Sequence, residues 1–517
     1  MMRVVLLVLL SASFLTTLPA QDSGSWPLPC GSPPGKSEWL KKYQQNPQAH
    51  HRSLDSIIYA PLAIHLLGDD NGNGYFPFNN LLNALCKLNE DFAATKIVFY
   101  LEGPVRYIDR SDWRSHNSVL IGAEMMFDQN VENAINTYFV SNAAGNCGYN
   151  LPYAGIAMAV SCSGPTSSTW AHEIGHNLSV QHPFLGWEGG VSHDGSVSHN
   201  FNDPAPPIVT YDYTLFKDTL ILDTLIIDTA LVELVDGSNC HLAGDGFCDT
   251  SPDYLAMRWS CNSNAQSPIE QTDPAGVKFR SDGTLIMGYA NDVCQSRFTP
   301  EQIGAMRANL FEEKASYLHN QQAGPPLSTI PPTLLLPTMD EQVHFEQAQL
   351  SWTPVENATG YLVQVSLLSS FSALTTEYLT TSPELLLNGL LNNRTYYWRV
   401  RAYNDYAFCA AASAAASFRT AQLTGLNSIA GLSGLSLSPT PTPAGSPAVL
   451  EFESARAFPA HLQLFMPTGQ LILSLPAAVQ TGLNRLEVAT AALPPGMYFL
   501  RLQGPAGQLV ERMVVGN

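Results

Sequence analysis

Apolar residues run almost unbroken from Ile57 to Leu67, which predicts a strand buried on both faces. Asp69-Asp70-Asn71-Gly72-Asn73-Gly74 follows as a turn. Leu81, Leu82, Leu85, Leu88 and Phe92 recur at helical spacing and predict an amphipathic helix, with strands at Ile97 to Leu101 and Gly155 to Ser161. Strands alternating with helices point to an α/β or α+β region that ends near Gln322. Beyond it the pattern changes to strict alternation. Trp352, Tyr361 and Tyr396-Tyr397-Trp398-Arg399-Val400-Arg401-Ala402 fit half-buried strands, as do Leu462 to Phe465, Met497 to Leu500 and Val510 to Val515. Ala323 to Pro337 and Thr424 to Pro447, rich in Pro, Gly, Ser and Thr, predict linkers. Domains are therefore expected at 53–322, 333–421 and 448–517, with a linker over 422–447. Asp-Thr recurs at 218, 223 and 228 with a period that suits neither helix nor strand, and reads as a surface insertion.

The 517 residues suffice for three or four domains at roughly 150 residues each. Twenty-five Lys and Arg against 44 Asp and Glu give a net charge of −19, which argues against a nucleic-acid partner and against charge-driven adhesion to anionic lipid. Arg3, the apolar run Val4 to Leu15 and Leu18-Pro19-Ala20 form the pattern of a secretory signal peptide over residues 1–20. No other stretch approaches the length of a transmembrane helix. An exported chain is expected to pair its cysteines, and nine leaves at least one over. Cys147 and Cys162 bracket a hairpin-length segment and are a candidate pair.

The chemistry concentrates at His172-Glu173-Ile174-Gly175-His176, with His182 six residues on. On a helix, His172 and His176 share a face and can hold one zinc while Glu173 projects beside it as a general base. For His182 to reach the same ion, the helix must stop and turn after His176. A residue in that turn that is left-handed and not Gly costs on the order of 1–2 kcal/mol. His50, His51, His193 and His199 lack ligand spacing and read as surface histidines.

Downstream, Gly244-Asp245-Gly246-Phe247-Cys248-Asp249-Thr250, Met287-Gly288-Tyr289 and Phe298-Thr299-Pro300-Glu301-Gln302 follow in order. Over roughly Ile57 to Met306 these motifs and the three histidines resemble the pappalysin family of metzincin peptidases, in its bacterial ulilysin-like branch. The departure is Ser179, where metzincins usually carry Gly. The resemblance implies an α+β catalytic domain, a mixed sheet with an active-site helix and a C-terminal subdomain. It further implies zinc on His172, His176 and His182, Glu173 and Tyr289 as catalytic groups, and Met287 beneath the metal. It also implies calcium at Asp245 and Asp249, a preference for Arg or Lys after the scissile bond set by Asp292, and bridges Cys240–Cys261 and Cys248–Cys294. An extended substrate is expected to pair with the strand Gly155 to Ser161.

The block 333–421 resembles a fibronectin type III sandwich, and 448–517 resembles the C-terminal sorting domain of the type IX secretion system. That likeness implies type IX machinery as a partner and a protein released from, or attached to, the bacterial outer surface. Protein or peptide substrates are the expected partners at the zinc site; an adhesin with a vestigial metal site is the rival reading. Cys30 precedes Gly31 in a segment, 21–52, that reads as a propeptide. Its thiolate is either a ligand that blocks the zinc or half of a disulfide, with Cys86 one partner. Cys409 is an equal candidate for the spare thiol.

Overall fold

The computed structural model describes residues 28–50, 55–217 and 225–516, apart from 338, 422–428, 430, 444, 469 and 506. The signal-peptide residues, the start of the expected propeptide, His51 and the first two of the three Asp-Thr pairs lie outside the described residues.

The first region is built on one sheet. Strand β1 is Ile58–Gly68, β2 is Ile97–Leu101 and β3 is Arg106–Asp109, both parallel to β1 along successive halves of its length. Next come β4, Ile135–Val140, then the hairpin of β5, Gly148–Leu151, and β6, Gly155–Ala159. The spatial order is β2-β1-β4-β6-β5, and only β5 is antiparallel to its neighbour. A largely parallel sheet must be covered on both faces, which explains the unbroken apolar run of β1. Leu62, Ile64 and Leu66 face the main core, beneath Leu81, Leu82 and Leu85 of helix α2 (Phe78–Asp91). On the opposite face Leu67 joins Trp113, Met125, Met126 and Tyr138.

The strand expected to receive substrate, Gly155 to Ser161, is an inner strand that ends at Ala159, so its ladder is filled by β4 and β5. The free edge of the sheet belongs to β5. The N-terminal segment lies along that edge: Leu28 N–H donates to Gly145 O (3.0 Å) and Gly31 N–H to Gly148 O (2.9 Å). Behind it, helix α1 (Glu38–Gln45) seats Trp39, Leu40 and Tyr43 in the main core.

After α3 (Thr169–Asn177), the chain runs through long loops to α4 (Pro300–Glu312), which Thr299 and Gln302 open with a reciprocal capping box. Disulfides staple these loops. The bridges are Cys240–Cys248 and Cys261–Cys294, not the interleaved pairs that the family likeness implied. Each joins cysteines whose Cα atoms already stand 5.0 and 6.1 Å apart, inside the usual range. Cys147–Cys162 pairs as expected and closes the β5–β6 hairpin.

Residues 334–421 form a β-sandwich of a three-stranded and a five-stranded sheet over Trp352, Trp398 and Phe418. This block is bolted to the first region. Cys86 on α2 is bonded to Cys409, so neither is the spare thiol, and Cys30 is free. Pro77 cannot cap α2 with its side chain; instead the Glu377 carboxylate accepts from Phe78 N–H (2.6 Å) at the positive end of the helix. Leu101 N–H at the end of β2 donates to Asp405 O (2.8 Å), and Tyr406 stacks on Tyr100.

The last unit is a second sandwich, of three and four strands. It begins earlier than the sequence suggests. Leu432–Ser438, assigned to a linker, is a strand paired with Ala448–Ser454, and Leu432, Leu435 and Leu437 pack on the core of that unit. Its Gly and Ser residues hide the alternation. No described helix is long and apolar enough to cross a membrane.

Non-reducing peptide mapping should recover Cys86 joined to Cys409, and replacing both by Ala should lower stability to urea by roughly 2–5 kcal/mol. Free thiol at Cys86, or an unchanged unfolding midpoint, would contradict this docking.

Candidate metal centre

Helix α3 carries His172 and His176 one turn apart and ends at once in a Schellman turn. Val180 N–H donates to Gly175 O and Ser179 N–H to His176 O, both at 2.9 Å. Ser179 has φ +71°, the left-handed conformation expected of it. Asn309 on α4 compensates by donating to the Ser179 hydroxyl at 3.0 Å. This turn swings His182 back toward the helix face.

The three Nε2 atoms then form a triangle with sides of 3.1, 3.2 and 3.0 Å. Every Nδ1 faces an acceptor: Ile286 O for His172 (2.8 Å), Val180 O for His176 (2.9 Å) and the Glu188 carboxylate for His182 (3.3 Å). The proton of each neutral ring therefore sits on Nδ1, and three lone pairs converge. Burial holds His172 and His182 down at about 3 and His176 well below its ordinary value, so protons do not fill the gap. Three nitrogens on a zinc at 2.0–2.1 Å in tetrahedral geometry would stand about 3.3 Å apart, close to what is seen. The donor set fits zinc.

Two contacts fix the helix at this depth. A Cβ on Gly175 would lie 2.4 Å from Met287 Sδ, so the methionine turn abuts the backbone between the ligands. A Cβ on Gly148 would lie 2.9 Å from Glu173 Cγ, so the edge strand leaves Glu173 its room. Glu173 is fully buried, its Oε1 has no protein partner, and burial raises its carboxyl to about 8. Tyr289 lies over His172 and His182, with ring centroids at 5.9 and 5.0 Å.

Cys30 enters the same centre. Its Sγ and the three Nε2 atoms all lie within 4.8 Å of one another. Its carbonyl accepts from the Tyr289 hydroxyl (3.3 Å), and burial pushes its thiol well above the usual range.

The remaining predicted site residues lie apart from the triangle. Asp245 is buried and accepts from Phe247 N–H and the Thr250 hydroxyl, both at 3.0 Å. Asp249 accepts from Glu301 N–H (2.8 Å), holding the N-terminus of α4, while its Oδ1 is buried without a partner. Glu233, 4% exposed with an unpaired Oε2, lies beside Gly244 and adds to this acidic pocket, and Lys36 Nζ approaches over Gly246. The oxygens of Glu233, Asp245 and Asp249 are not drawn together within 4.8 Å as the histidine nitrogens are. Asp292 accepts from Ser168 N–H (3.1 Å) just before α3, with Arg258 3.9 Å away. Of the surface histidines, His50 pairs with Glu312 (2.9 Å), while His193 and His199 are half-buried away from the triangle.

Sequence reasoning passed over Glu188, Glu233, Asn309 and Ser32. Each acts through a partner distant in sequence or lies in a motif-free loop, and Ser32 does so although it stands two residues from Cys30.

No family model matches the chain, and no curated protein matches it. Among solved structures, the chicken CNTN1 FN1–FN3 domains match at 13% identity over 38% of this chain and 70% of that one, with a TM-score of 0.19. A human collagen alpha-1(XX) fn3 domain matches at 27% identity over 20% and 92%, TM-score 0.15. Dimeric latent PorU from Porphyromonas gingivalis matches at 16% identity over 38% and 21%, TM-score 0.16. Likenesses of this extent bear on neither the metal centre nor its chemistry.

The buried acids set a pH dependence. Burial raises Glu233 to about 9 and Asp245 and Asp253 to about 7, all above their unfolded values near 4. The folded chain therefore binds more protons than the unfolded one, and these groups withdraw stability as pH rises toward 9. The buried histidines act oppositely, but only below about 6.5, their unfolded value. Lys36 and Lys314, which burial holds down at about 8, act oppositely from about pH 8 upward. In chelator, the thermal midpoint should therefore fall between pH 6.5 and 8, and Glu233→Gln should flatten that slope. A midpoint that rises over this interval would contradict the assignment.

Proposed function

We propose that this chain is a secreted zinc endopeptidase, made latent by its own N-terminal segment. The observation that carries the reading is the triangle of inward Nε2 lone pairs with a buried carboxylate, Glu173, beside it. Bound there, zinc supplies a Lewis acid that acidifies water and polarises the scissile carbonyl. Glu173 ionises when a dication sits beside it, takes the proton of the attacking water and passes it to the leaving amine. Tyr289 is placed to donate its hydroxyl to the developing oxyanion. Substrate lies extended along β5, whose edge is open once residues 28–32 leave. Under that segment a cavity of about 220 Å³ bordered by His176, Asn177 and Asn309 offers room for a substrate side chain.

Cys30 would supply latency: with zinc held by the three histidines, its sulfur would occupy the place that the attacking water needs. The likeness to pappalysins supports calcium at the acidic pocket of Glu233, Asp245 and Asp249, whose donors are hard oxygens, two of them buried and unpaired. Lys36 brings a positive charge toward that pocket in the latent form. Export through type IX machinery, to release or surface attachment, rests on the sequence likeness of the last unit.

The purified chain should carry one zinc. After removal of the N-terminal segment it should cleave casein, with Arg or Lys favoured after the cut and Asp292→Ala erasing that preference. Glu173→Ala should keep the zinc and lose at least about 100-fold in turnover. Retained turnover in that variant, or a chain that binds no zinc, would sink the reading.

A further inference from the structure

The segment that brings Cys30 to the metal centre makes a second contact there. Ser32 Oγ donates to Glu173 Oε2 at 2.8 Å and accepts from Asn150 N–H at 2.8 Å, with both carboxylate and hydroxyl buried. Ser32 N–H in turn points at Cys30 Sγ, 3.2 Å away. Gly31 lets the two side chains land together: a Cβ there would lie 2.4 Å from Asn146 Nδ2. One short turn thus reaches the metal position with its first residue and the catalytic carboxylate with its third.

We propose that Ser32 is a second latch, separable from Cys30, which silences the general base while the thiol silences the metal. The proposal rests on the peptidase reading for its biological sense, but the contact itself does not. Glu173 is buried and its other oxygen has no protein partner, so losing the Ser32 hydroxyl would leave the whole carboxyl unsatisfied, which makes the contact costly to break. The same hydroxyl holds Asn150 N–H, a β5 donor that an extended substrate would use. Ser32 therefore withholds the base and one backbone rung at once.

The latch is effective because the segment is tethered on both sides of it. Upstream, Leu28 is bonded to the sheet edge at Gly145 and Cys147. Downstream, Trp39 Nε1 donates to Glu312 (3.0 Å), and Leu40 is fully buried. Losing one contact leaves the other residue at high effective concentration over the site. Removing Cys30 alone should therefore not free the cleft.

The test uses the full, unprocessed chain as wild type and as Cys30→Ala, Ser32→Ala and the double variant. Hydrogen exchange of residues 28–34, measured with the metal chelated, should quicken by about tenfold or more in Ser32→Ala. That quickening should vanish in a Glu173→Ala background, because the two side chains are coupled. With zinc present, each single variant should hydrolyse a quenched fluorogenic peptide at least about tenfold more slowly than the double variant. Unchanged exchange in Ser32→Ala, the same quickening when Glu173 is already Ala, or full activity from Cys30→Ala alone would overturn the latch. If neither the double variant nor the processed chain hydrolyses any peptide, the peptidase reading fails, and the exchange measurements still decide whether Ser32 holds Glu173.

Discussion

Three imidazole nitrogens with outward protons and inward lone pairs, held 3.0–3.2 Å apart in a buried site, repel one another unless a cation lies between them. Much of the first region serves to impose that arrangement. Two backbone carbonyls and the Glu188 carboxylate fix the tautomers. A left-handed serine, restrained by Asn309, turns the chain so that His182 returns. The absence of a side chain at Gly175 lets Met287 press against the helix between its two ligands. Each device would be a liability in a helix whose only task was to fill a core.

The N-terminal segment completes this centre rather than decorating it. It covers the β5 edge of the sheet, places sulfur against the three nitrogens and seats α1 in the main core. Its removal would expose a strand edge, the carboxylate of Glu173 and the floor of a cavity together. On the far side of the sheet, the first sandwich is held by a disulfide and by Glu377 at the start of α2. That helix packs across β1 toward α3, so the accessory unit steadies the layer on which the histidines stand.

The sequence was most informative where one element carries the signal. The helical pair His172 and His176 and the buried strand over Ile57 to Leu67 follow from spacing and periodicity, because helix and strand geometry convert spacing directly into position, while the turn at Ser179 that brings in His182 came from the family likeness. It was least informative where a contact spans the chain. Nothing near Cys86 or Cys409 announces that they meet, and the pairing of Cys240 with Cys248 depends on how a loop folds on itself. The edge role of Gly148 to Leu151 was equally hidden, since an apolar run such as Gly155 to Ser161 marks burial, and buried strands are the ones with no free ladder. Ser32 was overlooked for another reason: its partner, Glu173, is a residue that the histidine motif had already accounted for.

The central claim is that the full chain holds one metal on three histidines with a cysteine from its own N-terminus as the fourth ligand. X-ray absorption at the zinc edge of the unprocessed protein tests it directly. The account predicts three nitrogen scatterers at about 2.0–2.1 Å and one sulfur at about 2.3 Å, the sulfur disappearing in Cys30→Ala. A zinc surrounded by light atoms alone in the unprocessed chain, or a sulfur signal that survives the loss of Cys30, would contradict it.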